Sequence, residues 1–279
     1  MIRSNKTLNL KGTLYDLSYP RIMGILNVTP DSFYTASRVK DNLSGKAEQM
    51  VAEGVDIFDV GGYSTRPGAA EVSLAEELDR VIPVIEYLSK MYPHLPVSID
   101  TFRADVAEAG VAAGAALIND VSGGNLDEQM FAKVASLEVP YILMHMRGTP
   151  STMTSLSNYG DVLTEVLEEL MLKFVELRKT GVKDIIIDPG FGFAKNAEQN
   201  FELLREFHQF NVFGCPLLAG VSRKKMIYES LSTQPEDSLN GTTVLNTFAL
   251  SKGADILRVH DVKEAFEVRK LLIDKGLLD

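Results

Sequence analysis

The sequence predicts a single-domain (β/α)₈ (TIM) barrel with a short N-terminal hairpin closing its bottom. Three observations carry this. Eight short apolar runs occur at residues 22–26, 57–60, 97–99, 116–118, 141–144, 185–187, 216–219 and 256–259. They are nearly continuous rather than alternating, as strands buried on both faces are. Each is followed by a polar or glycine-rich break and a stretch of helical periodicity. The chain has 279 residues, 45% of them hydrophobic, a size at which barrels persist as one unit around one core. Eight βα units favour closure over an open doubly wound sheet.

Residues 1–7 carry charge with no apolar segment behind them, and no later run approaches the roughly 18 residues of a membrane span. The expectation is a cytoplasmic chain without membrane contact. Residues 7–19 read as the hairpin. In 73–91, Leu74, Leu78, Val81, Ile82, Ile85 and Leu88 share one helical face. Ser73 and Glu76 have capping-box spacing, and Pro83 predicts a kink. Residues 161–180 and 261–275 are similarly periodic. No linker, low-complexity tract or repeat interrupts the series.

Charge and composition exclude several functions. Lys+Arg of 28 against Asp+Glu of 38 gives a net charge of −10. Such a surface disfavours nucleic acid and anionic membranes, so an anionic ligand must be met by local cations. One cysteine, Cys215, rules out an intramolecular disulfide framework and reads as a packing residue. His94, His145, His208 and His260 form no HxH or HxxxH pair, which argues against zinc. GxGxxG, GxxxxGK[ST] and GxSxG motifs are absent.

In a barrel, chemistry sits where strands end. The strand ends here carry Asn27, Asp59, Asp100, Asn119, Asp120, His145, Asp188, Ser222-Arg223-Lys224, Arg258 and His260. Taken singly, Asp59, Asp120 and Asp261 read as helix caps; their convergence on one mouth is what points to a site. The loop within residues 59–68, Asp-Val-Gly-Gly-Tyr-Ser-Thr-Arg-Pro-Gly, presents backbone amides, Ser64, Thr65 and Arg66 to a phosphate-like anion. Asp100, Asn119 and Asp188 suit a planar heterocycle with an amino-substituted amidine edge, because a carboxylate accepts two parallel N–H bonds. Ser222-Arg223-Lys224-Lys225, with Arg258 and His260, form a basic cluster at the late strands, where barrels often hold phosphates.

With these segments placed, the chain resembles the dihydropteroate synthases, the folate-pathway enzymes blocked by sulfonamides. Eight segments occur in the family's order from Met23 to His260. They are Met-Gly-Ile-Leu-Asn-Val-Thr-Pro-Asp-Ser-Phe, Asp-Val-Gly-Gly-Tyr-Ser-Thr-Arg-Pro-Gly, Ser-Ile-Asp-Thr, Asn-Asp-Val-Ser-Gly, Leu-Met-His-Met-Arg-Gly, Asp-Pro-Gly-Phe-Gly-Phe, Ser-Arg-Lys and Arg-Val-His-Asp-Val. The resemblance implies joining of 6-hydroxymethyl-7,8-dihydropterin diphosphate to p-aminobenzoate, giving 7,8-dihydropteroate and pyrophosphate by SN1-like loss of pyrophosphate. By the same resemblance, Asp100, Asn119, Asp188 and Lys224 bind pterin, with Arg258 over the ring. Thr65, Arg258 and His260 engage the diphosphate, to which the loop reading adds Arg66, and Asn27 holds Mg²⁺. Phe33, Pro67, Lys224 and Lys225 face p-aminobenzoate. Lys224, Asp100 and Arg258 are the groups assigned to the chemical step. A homodimer through late barrel helices is also implied.

The chain departs from the family pattern at four places. Tyr34-Thr35-Ala36-Ser37 replaces a Ser-Asp-Gly-Gly run, Tyr63 replaces Glu, Lys225 replaces Ser, and Met153-Thr154 replaces a Met-Gln pair. Two rival functions share the barrel: a methyltetrahydrofolate-dependent methyltransferase, and a pterin-binding paralogue without synthase activity.

Overall fold

The computed structural model describes residues 6–28, 36–64 and 71–278, with 36–42 as backbone only. Two strands, β1 (Thr7–Leu10) and β2 (Thr13–Asp16), form an antiparallel hairpin. Eight parallel strands follow: β3 (Arg21–Asn27), β4 (Ile57–Gly61), β5 (Val97–Asp100), β6 (Leu117–Asp120), β7 (Tyr141–Met144), β8 (Ile185–Asp188), β9 (Leu218–Ala219) and β10 (Ile256–Val259). Their order is β8-β7-β6-β5-β4-β3-β10-β9. The remaining seam, between β8 and β9, is joined by the Ile187–Leu217 bridge, where Ile187 N–H donates to Pro216 O at 2.9 Å. The expected barrel and hairpin are therefore present.

Alternation along the strands separates two cores. Met23, Ile57, Leu117, Ile142, Ile186, Leu218 and Ile256 point into the barrel and fill its lower layer. Leu8 and Leu17 of the hairpin pack beneath them, each 1% exposed. Lys6 fastens this plug through a 2.6 Å ion pair with Asp255. Ile22, Phe58, Val60, Ile99, Ile118, Tyr141, Ile187 and Leu257 point outward into the larger core under the helices.

Among the described residues the helices are α1 (Ala36–Glu53), α2 (Leu74–Met91), α3 (Ala104–Ala113), α4 (Met130–Leu137), α5 (Val162–Lys179), α6 (Ala197–Arg205), α7 (Lys225–Ser230), α8 (Leu239–Ser251) and α9 (Val262–Arg269). The seventh βα unit thus carries two helices, α7 and α8, where the sequence suggested one. None of the helices is long and apolar enough to cross a membrane.

Helix α2 corrects one detail of its apolar face. The helix continues through Pro83, which is exposed with Asp79, so water can serve the carbonyl that Pro83 leaves without a donor. Its inner face holds Glu77, Val81, Val84, Ile85 and Leu88, while Leu74 is exposed. Glu77 is fully buried because Thr101 Oγ1 donates to it at 2.7 Å and Arg103 pairs with it. Ser73 caps the helix, accepting from Glu76 N–H at 3.2 Å.

Candidate active site

The strand pleat decides which polar groups enter the pocket. On β4, Ile57, Asp59 and Gly61 lie on the barrel side, and Phe58 and Val60 on the helix side. The same period puts Asp100, Asn119, Asp188 and Arg258 inward, and turns Asp120 and His145 outward.

At the centre lies Arg258. Its Nε donates to Asp59 Oδ2 at 2.6 Å and its Nη2 to Asp100 Oδ2 at 2.5 Å, so one guanidinium joins two carboxylates. Asn119 Nδ2 donates to the two oxygens of Asp59 at 3.2 and 3.4 Å. Asp59 is fully buried and sits inside its strand rather than at a helix start, so it is a pocket residue, not a cap. This is the central group that sequence reasoning missed. An acid in the middle of a run with Ile57, Phe58 and Val60 was the available signal, since a buried charge needs partners.

Asp188 is 5% exposed, and its Oδ1 accepts from Gly190 N–H at 2.8 Å. Burial raises the Asp188 carboxyl above the ordinary range, against the pull of Lys224 and the Gly190 amide. Asp100 is raised in the same direction by burial, with Arg258 opposing and Asp59 adding to it. Lys224 is lowered to about 8 by burial, with Asp188 opposing. Its Nζ donates to Phe191 O and lies 4.4 Å from the centroid of the Phe193 ring. Gly192, at φ +79°, makes room for it: a Cβ there would stand 2.9 Å from Lys224 Cδ. Three inward carboxylates thus face two cations, leaving acceptors for a ligand rich in N–H donors.

Comparison with known proteins gives this pocket a family. The pterin binding enzyme family matches residues 23–260. The dihydropteroate synthase of Synechocystis is 44% identical over 90% of this chain and 88% of its own length. The chain belongs to the dihydropteroate synthase family. These are enzymes that transfer a pterin-methyl group. The folic acid synthesis protein fol1 of Pneumocystis carinii is also 44% identical over 90% of this chain, which spans only 35% of that longer protein. A dihydropteroate synthase from Xanthomonas albilineans, solved with 4-aminobenzoic acid, superposes with a TM-score of 0.90 at 38% identity, covering 99% of this chain and 100% of that one.

Not every expected residue of a dihydropteroate synthase joins the cluster. Arg223, read as part of an anion site, is consumed structurally. Its Nε and Nη2 grip Asp261 at 2.9 and 2.8 Å, and its Nη1 reaches the carbonyls of Pro235 and Glu236 at 3.2 and 3.0 Å. Asp261 accordingly makes no side-chain cap on α9. Lys225 opens α7, exposed, and pairs with Glu229 one turn on at 3.2 Å. Asp120 fastens the turn after β6, accepting from Ser122 N, Gly124 N and Tyr141 Oη at 2.7, 2.9 and 2.7 Å. His260 stands half-buried at the mouth, its Nδ1 3.0 Å from Ser222 Oγ. Phe33, Thr65, Arg66 and Pro67 lie outside the described residues.

Among the described residues no group of three or more His, Cys, Asp or Glu could hold a metal ion. Asn27 ends β3 exposed, beside Gly61, where an added Cβ would stand 3.7 Å from its Oδ1. One hard amide oxygen suits magnesium, which keeps several waters and takes phosphate oxygens from a substrate.

Proposed function

We propose that the chain condenses 6-hydroxymethyl-7,8-dihydropterin diphosphate with p-aminobenzoate, releasing 7,8-dihydropteroate, pyrophosphate and a proton. The observation that carries this reading is the inward set of Asp59, Asp100, Asn119 and Asp188 laced by Arg258, with Lys224 beside it. Asp188 and Asp100 supply acceptors for the N–H groups of the pterin edge. The Asn119 amide, already donating to Asp59, offers its free oxygen to the same ring. Arg258 remains cationic between its two acids and lies over the ring, and with His260 it meets the diphosphate; Thr65 and Arg66 of the second loop serve the same anion.

The bond between the pterin methylene and the diphosphate oxygen breaks, and its electron pair leaves with pyrophosphate. Cations aimed at that oxygen stabilise the developing charge. Buried carboxylates stabilise the methylene cation left behind. The aniline nitrogen attacks it and loses its proton, so no protein nucleophile is required. Asn27 would hold Mg²⁺, which when bound neutralises charge on the departing diphosphate. Lys224, Lys225, Phe33 and Pro67 are assigned to p-aminobenzoate. A cytoplasmic homodimer completes the reading; Val244 and Phe248, one turn apart on α8, with Leu231 at the end of α7, offer exposed apolar surface for it.

The test is pyrophosphate release from purified protein with both substrates, with and without magnesium. Release dependent on p-aminobenzoate, with equal dihydropteroate, supports the synthase. Pterin diphosphate binding without release points to the idle paralogue, and methyl transfer from methyltetrahydrofolate to a corrinoid protein to the methyltransferase.

A further inference from the structure

Behind the pocket, on the outward side of β7, lies a polar array that the reaction above does not use. Lys195 is 9% exposed, and its Nζ lies 2.9 Å from His145 Nδ1, 3.0 Å from Gly190 O and 2.9 Å from Phe193 O. An ammonium has three protons and no lone pair, and these three acceptors use all of them. His145 must therefore present a lone pair at Nδ1 and carry its proton on Nε2, which stands 3.0 Å from Glu169 Oε2. Glu169 is held in turn by Arg147, whose Nε donates to Oε1 at 2.9 Å. Arg147 also grips Glu165 at 2.7 Å and the Asn158 carbonyl at 2.9 Å, and its guanidinium lies 3.8 Å from the Tyr159 ring centroid. With Lys195 protonated, every bond in the chain has one direction, which sets the ring orientation and its tautomer.

The two carbonyls that Lys195 takes, at 190 and 193, bracket Phe191, whose own carbonyl accepts from Lys224. Phe193 supplies the ring beneath Lys224, and Gly190 N–H holds Asp188 Oδ1. The turn after β8 thus carries three contacts of the pocket, and Lys195 ties it down from behind. We infer that Lys195, aimed by His145 and Glu169, is a positioning residue that holds this turn, and with it Asp188 and Lys224, in register for the reaction. This rests on the synthase reading. Burial lowers His145 to about 4, with Lys195 adding to it, and lowers Lys195 to about 7, so between those values a neutral ring faces an ammonium.

Nitrogen-15 spectra of the His145 ring in the whole protein test the array without reference to turnover. The groups facing that ring are Lys195 from the turn, Glu169 from α5, and Arg147 and Tyr159 from the loop after β7. The expected spectrum is a neutral ring protonated on Nε2 from about pH 5 up to about pH 7, where Lys195 gives up its proton; protonation of the ring near the ordinary midpoint of about 6.5 overturns the assignment. Kinetics test its role. His145→Leu, with unchanged circular dichroism, should lose about tenfold to a hundredfold in kcat/KM for both substrates. His145→Asn, which returns an acceptor near the Nδ1 position, should recover most of that loss. Unchanged kcat/KM in His145→Leu, or an Asn variant as impaired as the Leu one, overturns the positioning role. A wild-type protein that releases no pyrophosphate while its ring spectrum is as expected fails the synthase reading and leaves the array standing.

Discussion

Asp188→Asn separates what the pocket does for its ligand from what it costs the fold. Asparagine keeps the volume and leaves Oδ1 to accept from Gly190 N–H, at 2.8 Å in the wild type. It removes the charge and puts an amide donor where a pterin N–H needs an acceptor. Hydrogen bonds to a charged group contribute about 1.5–3 kcal/mol, so the dissociation constant for dihydropterin diphosphate should rise about 10-fold to 150-fold. Stability should move the other way. Burial raises the Asp188 carboxyl, so the folded chain binds its proton more tightly than the unfolded chain does. That contribution is fully present below the ordinary carboxylate value near 4 and is lost as pH rises through the raised one. At neutral pH the ligand-free variant should melt no lower than wild type, with a flatter pH dependence above about pH 4. Calorimetric titration gives the affinity, and melting curves across that range give the stability. An unchanged dissociation constant would take Asp188 off the pterin edge. A lower neutral-pH melting temperature for the ligand-free variant would mean that Lys224 more than offsets the burial of the ion, refuting the trade-off.

Other changes probe the remaining parts. Arg258→Ala leaves Asp59 and Asp100 without their shared cation, and denaturant unfolding should show a loss of about 3 kcal/mol; affinity should fall more for the pterin diphosphate than for free hydroxymethylpterin, and equal losses would remove Arg258 from the diphosphate. Gly190→Ala places a Cβ 2.0 Å from the carbonyl oxygen of His145 at a φ of +72°; it should abolish pterin binding or unfold the protein, read by titration and circular dichroism together. Leu8→Ala should cost about 2–4 kcal/mol by opening a cavity under the barrel, with pterin affinity unchanged, which denaturation and titration of the folded variant would measure.

How much of this was legible depends on which physical rule each residue obeyed. The strands were readable because runs such as 141–144 must be apolar on both faces of a buried parallel sheet, and that one matches the observed strand end to end. Asp100, Asn119, Asp188 and Arg258 were readable because a strand end in a barrel points its last inward group at the mouth. Asp59 was misjudged by treating it as the end of its strand, when Val60 and Gly61 still continue the ladder beside Asp100. The period of two would have corrected this, since Ile57 and Asp59 share a face, and it separates Asn119 from Asp120 by the same count. The loops obey no such period. In Ser222-Arg223-Lys224-Lys225, Arg223 adopts φ +53°, and the three cations diverge to Asp261, to Phe191 O and to Glu229. Nothing in that charge run says which member reaches the pocket, because the turn that sends Lys224 inward is set by partners 38 residues away at Asp261 and 33 residues away at Phe191. Lys195 is the extreme case. Beside the helix-capping Asn196 it reads as one more surface charge, and only the tertiary approach of His145 and two carbonyls turns it into a buried ammonium.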